Sequence, residues 1–250
     1  MAISTGILGL DNMLKGGFSD GDITLVAGSP GTGKTTIALQ FLIEGIKHGE
    51  PGVMVTFEYL PQRMYRDAMK KGWDLKKWES EGKLKILCTT PDILTSMDAK
   101  GRTVLDEAIT EIHAKRVVLD SVTHFEFYGK QPSELRQEVS GFMNHLRLHD
   151  ITTIITHEIP EIIGPTMHIS NFGLEFLVDN VIILRYVEIE SEMKKAIFVL
   201  KFRGGDHDRK LRHFELTGKG VSIESEFKGV EGVTSGSPRI TVTQRARELI

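Results

Sequence analysis

Short, almost wholly apolar runs alternate along this chain with longer segments whose apolar residues recur every three or four positions. The short runs are Ile23-Thr24-Leu25-Val26-Ala27, Val53-Met54-Val55-Thr56-Phe57, Leu84 to Cys88, Arg116 to Leu119 and Thr152 to Thr156. Each reads as a strand buried on both faces. The segments between them read as helices. Ile37 to Leu42 opens the first, and Leu60 to Lys71 carries Pro61 in its first turn, where proline is tolerated. Thr103 to His113 puts Leu105, Ala108, Ile109 and Ile112 on one face, and Ser133 to Leu148 shows a stripe at Leu135, Val139, Phe142 and Leu146. Strand and helix in alternation predict the α/β class: a mostly parallel central sheet flanked by helices. The last third changes style. Asn180–Tyr186, Ala196–Phe202 and His213–Leu216 are strand candidates joined by short polar turns, a meander that adds antiparallel strands at the C-terminal edge. No Pro-, Ser- or Gly-rich linker divides these parts, so residues 1–228 read as one domain. The polar stretch 229–250, with Gly236-Ser237-Pro238, reads as a mobile tail.

The junction after the first buried strand carries the most specific chemistry. Gly28-Ser29-Pro30-Gly31-Thr32-Gly33-Lys34-Thr35, followed by Thr36, is a full P-loop: Gly, four residues, then Gly-Lys-Thr. A chance glycine-rich turn would not bring both flanks, an apolar strand before and an amphipathic helix after. The glycines let backbone N–H groups turn inward around phosphate oxygens. The helix beginning near Lys34 aims its positive dipole end at the same phosphates. Lys34 places a point charge by the outer phosphates, and Thr35 offers a hydroxyl to Mg²⁺.

Phosphoryl transfer also needs a second metal-directed carboxylate and a group to orient water. The strand Val117-Val118-Leu119 ends in Asp120, the usual form of a Walker B carboxylate, and strand C-termini line the ligand crevice of a parallel sheet. Glu58 ends the strand after the P-loop helix on the same edge, where a carboxylate can act as general base, or else serve as an N-terminal charge for the following helix. In Lys201-Phe202-Arg203-Gly204-Gly205-Asp206-His207 alternation sets Lys201 and Arg203 on one face and Phe202 on the other, a phosphate grip or simply a solvated edge strand. His157-Glu158 follows the strand ending at Thr156 as a phosphate sensor or a plain loop. Trp73 and Trp78 read as packing residues.

Composition narrows the classes without naming one. The chain has 250 residues, 40% hydrophobic and 26% charged, ordinary values for a globular protein. A net charge of −3 gives no case for tight non-specific nucleic-acid binding, while leaving room for a local basic face. The single cysteine, Cys88, excludes an intramolecular disulfide, suits a reducing compartment, and is expected in a buried strand. No signal peptide is evident at the N-terminus, and no run is long enough for a membrane helix. The expectation is a cytoplasmic protein with no membrane partner.

Taken together, the segments Thr5-Gly6-Ile7-Leu8-Gly9-Leu10-Asp11, Gly16-Gly17-Phe18, Val55-Thr56-Phe57-Glu58, Gly72-Trp73-Asp74-Leu75, Glu81-Gly82-Lys83-Leu84, Asp120-Ser121-Val122-Thr123, Asp179-Asn180-Val181-Ile182 and the Lys201 to His207 run resemble the KaiC branch of the RecA-like ATPases over nearly the whole chain. The resemblance implies a RecA-like P-loop NTPase core that binds ATP and Mg²⁺ and assembles as a hexameric ring, with regulatory protein partners in view. It also implies that Lys201 and Arg203, with Phe202, Gly205 and His207 beside them, reach a neighbouring subunit's nucleotide, and that Glu58 is the first of two adjacent catalytic glutamates. This chain departs by carrying Tyr59 in the second position. It keeps Ser170 but not the threonine of the family's autophosphorylated pair, so autophosphorylation is not expected. Three rival readings remain at this point: a DNA-recombination accessory ATPase of the same superfamily, a signalling module that binds ATP without turning it over, and, resting on Ser170 alone, a protein kinase.

Overall fold

The computed structural model describes residues 2–57, 61–128, 131–161, 168–189 and 191–227, with 230–231 and 239–240 beyond them. In chain order the elements are β1 (Ala2–Ile3), α1 (Leu8–Met13), β2 (Phe18–Ser19), β3 (Ile23–Gly28), α2 (Lys34–Lys47), β4 (Gly52–Thr56), α3 (Pro61–Met69), α4 (Leu75–Ser80), β5 (Leu84–Cys88), α5 (Pro91–Thr95), α6 (Val104–Ile112) and β6 (Arg116–Asp120). A 3₁₀ segment, Val122–Tyr128, leads to α7 (Pro132–Leu148), β7 (Thr152–Glu158), α8 (Leu174–Leu177), β8 (Asn180–Ile189), β9 (Glu192–Phe202), β10 (Arg212–Thr217) and β11 (Gly220–Glu226). The short strands β12 (Val230–Glu231) and β13 (Arg239–Ile240) pair with each other, and the rest of the expected tail lies outside the described residues.

Nine strands form one sheet in the order β11-β10-β9-β8-β3-β7-β6-β4-β5. From β8 to β5 every neighbour is parallel, and β9, β10 and β11 extend that sheet antiparallel. This is the RecA-like α/β arrangement. The expected strands and helices are present. The N-terminal hairpin of β1 and β2, the helices α1 and α4, and the strand β11 are additions the apolar pattern did not signal.

The strands are apolar throughout because both faces are covered. Alternate residues feed two separate cores. Leu25, Val55, Leu119, Ile155 and Ile183 pack with Leu105, Val139, Phe142 and Leu146 of α6 and α7. Their strand neighbours Val26, Met54, Val118, Ile154 and Ile182 pack with Ile37, Phe41 and Leu42 of α2 and with Leu10 and Phe214. Each fully buried aliphatic or aromatic side chain contributes about 1.5–3 kcal/mol. Trp73 joins the second of these cores and Trp78 packs against it, as expected. The expectation for Cys88 is corrected: β5 is the outermost strand and Cys88, its last residue, is exposed. No helix among the described residues is long and apolar enough to cross a membrane.

Two polar anchors fix the segment before β3. Asp11 accepts hydrogen bonds from the Ser4 hydroxyl at 2.7 Å, the Thr5 amide at 2.8 Å and the Thr5 hydroxyl at 2.6 Å. Arg116, the first residue of β6, is almost fully buried. Its Nε and Nη2 hold Glu50 at 2.7 and 2.6 Å, its Nη1 donates to the Ser4 and Phe41 carbonyls at 2.8 Å each, and the guanidinium lies 4.6 Å from the Phe41 ring centroid. Replacing Arg116 by Met keeps much of the packing volume but removes the donor to a carboxylate and two carbonyls. Arg116→Met should lower the unfolding free energy in urea by about 2–4 kcal/mol, because the Ser4 and Phe41 carbonyls lose a charged donor while the part-exposed Glu50 carboxylate can turn to water.

Candidate nucleotide-binding site

The P-loop lies at the carboxyl end of β3, near the middle of the sheet. Two left-handed residues make its turn, Gly31 at φ 76° and Gly33 at φ 107°. Gly33 is also hemmed in, since a Cβ there would stand 2.6 Å from Leu216 Cδ2 on β10. The loop is held by the Thr32 hydroxyl, which donates to the Ser29 carbonyl at 2.7 Å, and by the Ser29 hydroxyl, which donates to the Glu161 carbonyl at 2.8 Å. The helix α2 begins at Lys34, so its free amides face the loop as the sequence requires. Pro30 is exposed at the loop's tip, and Thr36 lies in the first turn of α2.

Lys34 is 7% exposed, with its ammonium folded back over the loop. Nζ donates to the Gly28 carbonyl at 3.0 Å and the Ser29 carbonyl at 3.2 Å, and pairs with Glu158 Oε1 at 3.4 Å. Glu158 is the last residue of β7, directly opposite Gly28 in register. The apolar pattern ends at Thr156, but β7 runs on through His157 and Glu158, and this extension aims the Glu158 carboxylate at the loop.

Thr35 and Asp120 meet at this edge of the sheet. The Thr35 hydroxyl donates to Asp120 Oδ2 at 2.7 Å, and the Thr156 hydroxyl donates to Asp120 Oδ1. Burial pushes the Asp120 carboxyl above its ordinary range, and nearby Glu158 adds to this, against the two threonine hydroxyls and Lys34. Such a carboxylate gains from a cation. Two oxygens 2.7 Å apart are close to the spacing of about 2.9 Å between adjacent ligands of an octahedral Mg²⁺, so the donor set fits that ion with the P-loop amides and Lys34 beside it. Thr156 was not singled out in the sequence; its signal was a threonine closing an otherwise apolar strand next to the P-loop strand.

The end of β4 lies beside Asp120: Thr56 is its register partner and the Phe57 amide donates to the Asp120 carbonyl at 3.2 Å. Glu58 itself lies outside the described residues. A 500 Å³ cleft runs from Pro30 past Glu158, His157 and Thr123 to Ser170. Ser170 is engaged within it, donating to Glu175 at 3.0 Å and accepting from the Leu174 amide at 2.7 Å.

Lys201, Phe202 and Arg203 lie at the other end of the sheet. Phe202 pairs with Asn180, which pairs with Thr24, four residues before Gly28. At about 3.3 Å per residue that is roughly 13 Å below the start of the P-loop. Lys201 and Arg203 share one face, as alternation requires. Lys201 donates to the Val178 carbonyl at 2.6 Å and the Glu175 carbonyl at 3.2 Å, while burial, with Arg203 nearby, pulls its pKa down. Arg203 is 64% exposed and holds Asp179 at 3.2 Å. Phe202 turns to the opposite face, under Gly205 and 6.3 Å from the His207 ring.

His157 is neutral. Burial, with Lys34 adding to it, takes its pKa down to about 4 against a bond to the Ile169 backbone. Thr123 Oγ1 already accepts from the Ser121 hydroxyl and the Glu158 amide at 2.8 Å each, so its own proton goes to His157 Nδ1 at 3.2 Å. The unfolded chain binds a proton near pH 6.5 that the folded chain refuses until about pH 4. Stability should therefore fall as pH drops through that window, with a His157 share of roughly 3 kcal/mol. Urea unfolding across pH 7 to 4 checks this, and His157→Gln should flatten the slope.

A family model described as ATPase: KaiC matches residues 3–228. The chain is 32% identical to the circadian clock protein KaiC3 of Synechocystis over 99% of its length and 48% of the relative's. It is 33% identical to the circadian clock oscillator protein KaiC of Rippkaea orientalis over 97% of its length and 46% of the relative's. The chain thus spans about half the length of the curated relatives it matches.

Proposed function

The chain belongs to the KaiC ATPase family, and we propose that it is a Mg²⁺-dependent, slowly turning cytoplasmic ATPase that works as a homo-oligomeric ring, hexameric by the resemblance, with each nucleotide held between two subunits. The observation that carries this reading is the division of cations between the two ends of the sheet. Lys34 serves the P-loop of its own chain, whereas Lys201 and Arg203 lie too far down the sheet to reach it. Arg203 is nonetheless exposed, as a group that acts on a neighbour must be.

With Mg²⁺-ATP bound, the chemistry supplied is transfer of the terminal phosphoryl group to water. Ser29 to Gly33 and Thr36 line the phosphates. Lys34 leaves its carbonyl partners for phosphate oxygens, and Thr35 and Asp120 hold the metal. Glu58 orients the attacking water and takes its proton. Lys201 and Arg203 from the next subunit, with Phe202, Gly205 and His207 around them, neutralise charge on the transferring group. The single glutamate, with Tyr59 in place of a second, suits a slow, switch-like enzyme. A regulatory protein partner is part of the same proposal.

Two experiments test it. Glu58→Gln should keep ATP affinity in calorimetry yet lose about two or more orders of magnitude in turnover, the usual share of a general base; turnover within a factor of two of wild type would assign the water to another group. Arg203→Ala should bind ATP and hydrolyse it poorly. Mixed with Glu58→Gln protein, and with subunit exchange verified, it should regain activity, because some interfaces then pair an intact Glu58 with an intact Arg203. A mixture no more active than its parts, or a monomer hydrolysing at full rate, would refute the shared site.

A further inference from the structure

A second cluster of metal-ligating side chains lies away from the P-loop, where α6 meets the end of α7. His145-Leu146-Arg147-Leu148-His149 sets two histidines four residues apart, the first in the last turn of α7 and the second at its C-cap, so both rings lie on one side of the helix end. Their centroids are 5.0 Å apart. Both Nε2 atoms face one oxygen, Asp106 Oδ1, at 2.7 Å from His145 and 3.2 Å from His149. The other oxygen, Oδ2, accepts from the Thr103 amide at 2.7 Å and the Thr103 hydroxyl at 2.9 Å in the capping box that starts α6. That cap fixes the carboxylate and leaves Oδ1 turned to the rings. The three ligand atoms lie within 4.8 Å of one another, and no other such group of three occurs among the described residues.

We propose that Asp106, His145 and His149 form a zinc site that clips α6 to the C-terminal end of α7. Zinc takes imidazole nitrogen and carboxylate oxygen at about 2.0–2.2 Å in a tetrahedron, which sets neighbouring ligand atoms about 3.3 Å apart. The two nitrogen–oxygen spacings of 2.7 and 3.2 Å, and the two ring nitrogens within 4.8 Å of each other, come to that value by rotation of the partly exposed rings. Binding uses the Nε2 lone pairs, so each ring carries its proton on Nδ1. Three protein ligands leave a fourth position for water, and His145 and His149 reach the surface at 24% and 37% exposure. Two imidazoles favour zinc over magnesium, which prefers oxygen, so the site is chemically separate from the one at Thr35 and Asp120. It is separate in space too. His149 precedes β7, whose first residues pair with Arg116 and Ile23 at the end of the sheet away from Gly28. His213 shows the ordinary alternative: its Nδ1 bonds Glu224 at 2.8 Å while its Nε2 lies 2.8 Å from a different glutamate, Glu215, without a hydrogen bond, and nothing converges.

The test uses tag-free, chelator-treated protein without nucleotide, titrated with Zn²⁺ by calorimetry and with Co²⁺ by absorption. One equivalent should bind, with the intense visible bands of four-coordinate cobalt, and zinc should raise the melting temperature. His145→Ala and His149→Ala should each weaken zinc binding at least tenfold and remove the cobalt bands, while His213→Ala changes neither. His149→Gln, which keeps a surface hydrogen-bonding side chain, should show the same loss in protein whose circular dichroism matches wild type. A wild-type chain that takes up no zinc, or a His145→Ala/His149→Ala double variant that binds it as tightly as wild type, overturns the site.

Discussion

A lysine ammonium buried at the end of a central strand sets the terms for everything around it. Water no longer solvates Lys34, so the fold must supply fixed oxygens, and it does so with two P-loop carbonyls and the Glu158 carboxylate. This requirement explains why β7 runs two residues beyond its apolar stretch, and why Asp120, itself raised by burial, lies within the reach of Lys34's charge. The tight turn over it uses glycine at both left-handed positions, and a Cβ at Gly33 would meet Leu216 while one at Gly31 would press on the Tyr186 hydroxyl. The nucleotide site is therefore a set of mutually dependent polar groups seated on two dry cores.

The sheet is chemically polarised. Its carboxyl end carries the P-loop, Thr35, Asp120, Thr156 and Glu158. Its other end carries Asp179, which accepts from the Ile23 amide at 3.1 Å and holds both Arg147 and Arg203 at 3.3 and 3.2 Å. Arg203 thus has a resting partner that is itself tied to the first residue of the P-loop strand. In the proposed ring, a phosphate arriving from a neighbouring subunit draws Arg203 away from Asp179. Arg147 and the Ile23 amide then remain to satisfy that carboxylate, so the exchange leaves no buried charge alone.

Much of this was legible in the chain because the decisive features are local. Strand, glycine loop and helix are contiguous in Ile23 to Leu42, and Asp120 ends a strand whose neighbours force it to the same edge. Alternation alone separated Lys201 and Arg203 from Phe202. What was not legible depends on contacts between distant segments. Thr156 and Glu158 matter only because β7 lies beside β3 in a register that no local pattern states. The exposure of Cys88 follows from β5 being outermost, a fact of strand order. The small elements α1, α4 and β11 are held by tertiary packing, with Leu10, Met13, Leu75 and Val221 all in the core shared with α2, and their own periodicity is too short to announce them.

The Lys34–Glu158 pair also gives the site a built-in response. A phosphate that takes the ammonium competes with Glu158, and the carboxylate it displaces is 39% exposed, so water can receive it at little cost. The backbone amide of the same residue is bonded to Thr123, and Thr123 holds neutral His157. His157 and Thr123 line the cleft that ends at Ser170. Because His157 resists protonation, this chain of contacts keeps one hydrogen-bond direction across the physiological range. The carboxylate that a phosphate would displace thus belongs to the same residue whose amide anchors this chain of contacts, and the histidine at its far end carries no charge.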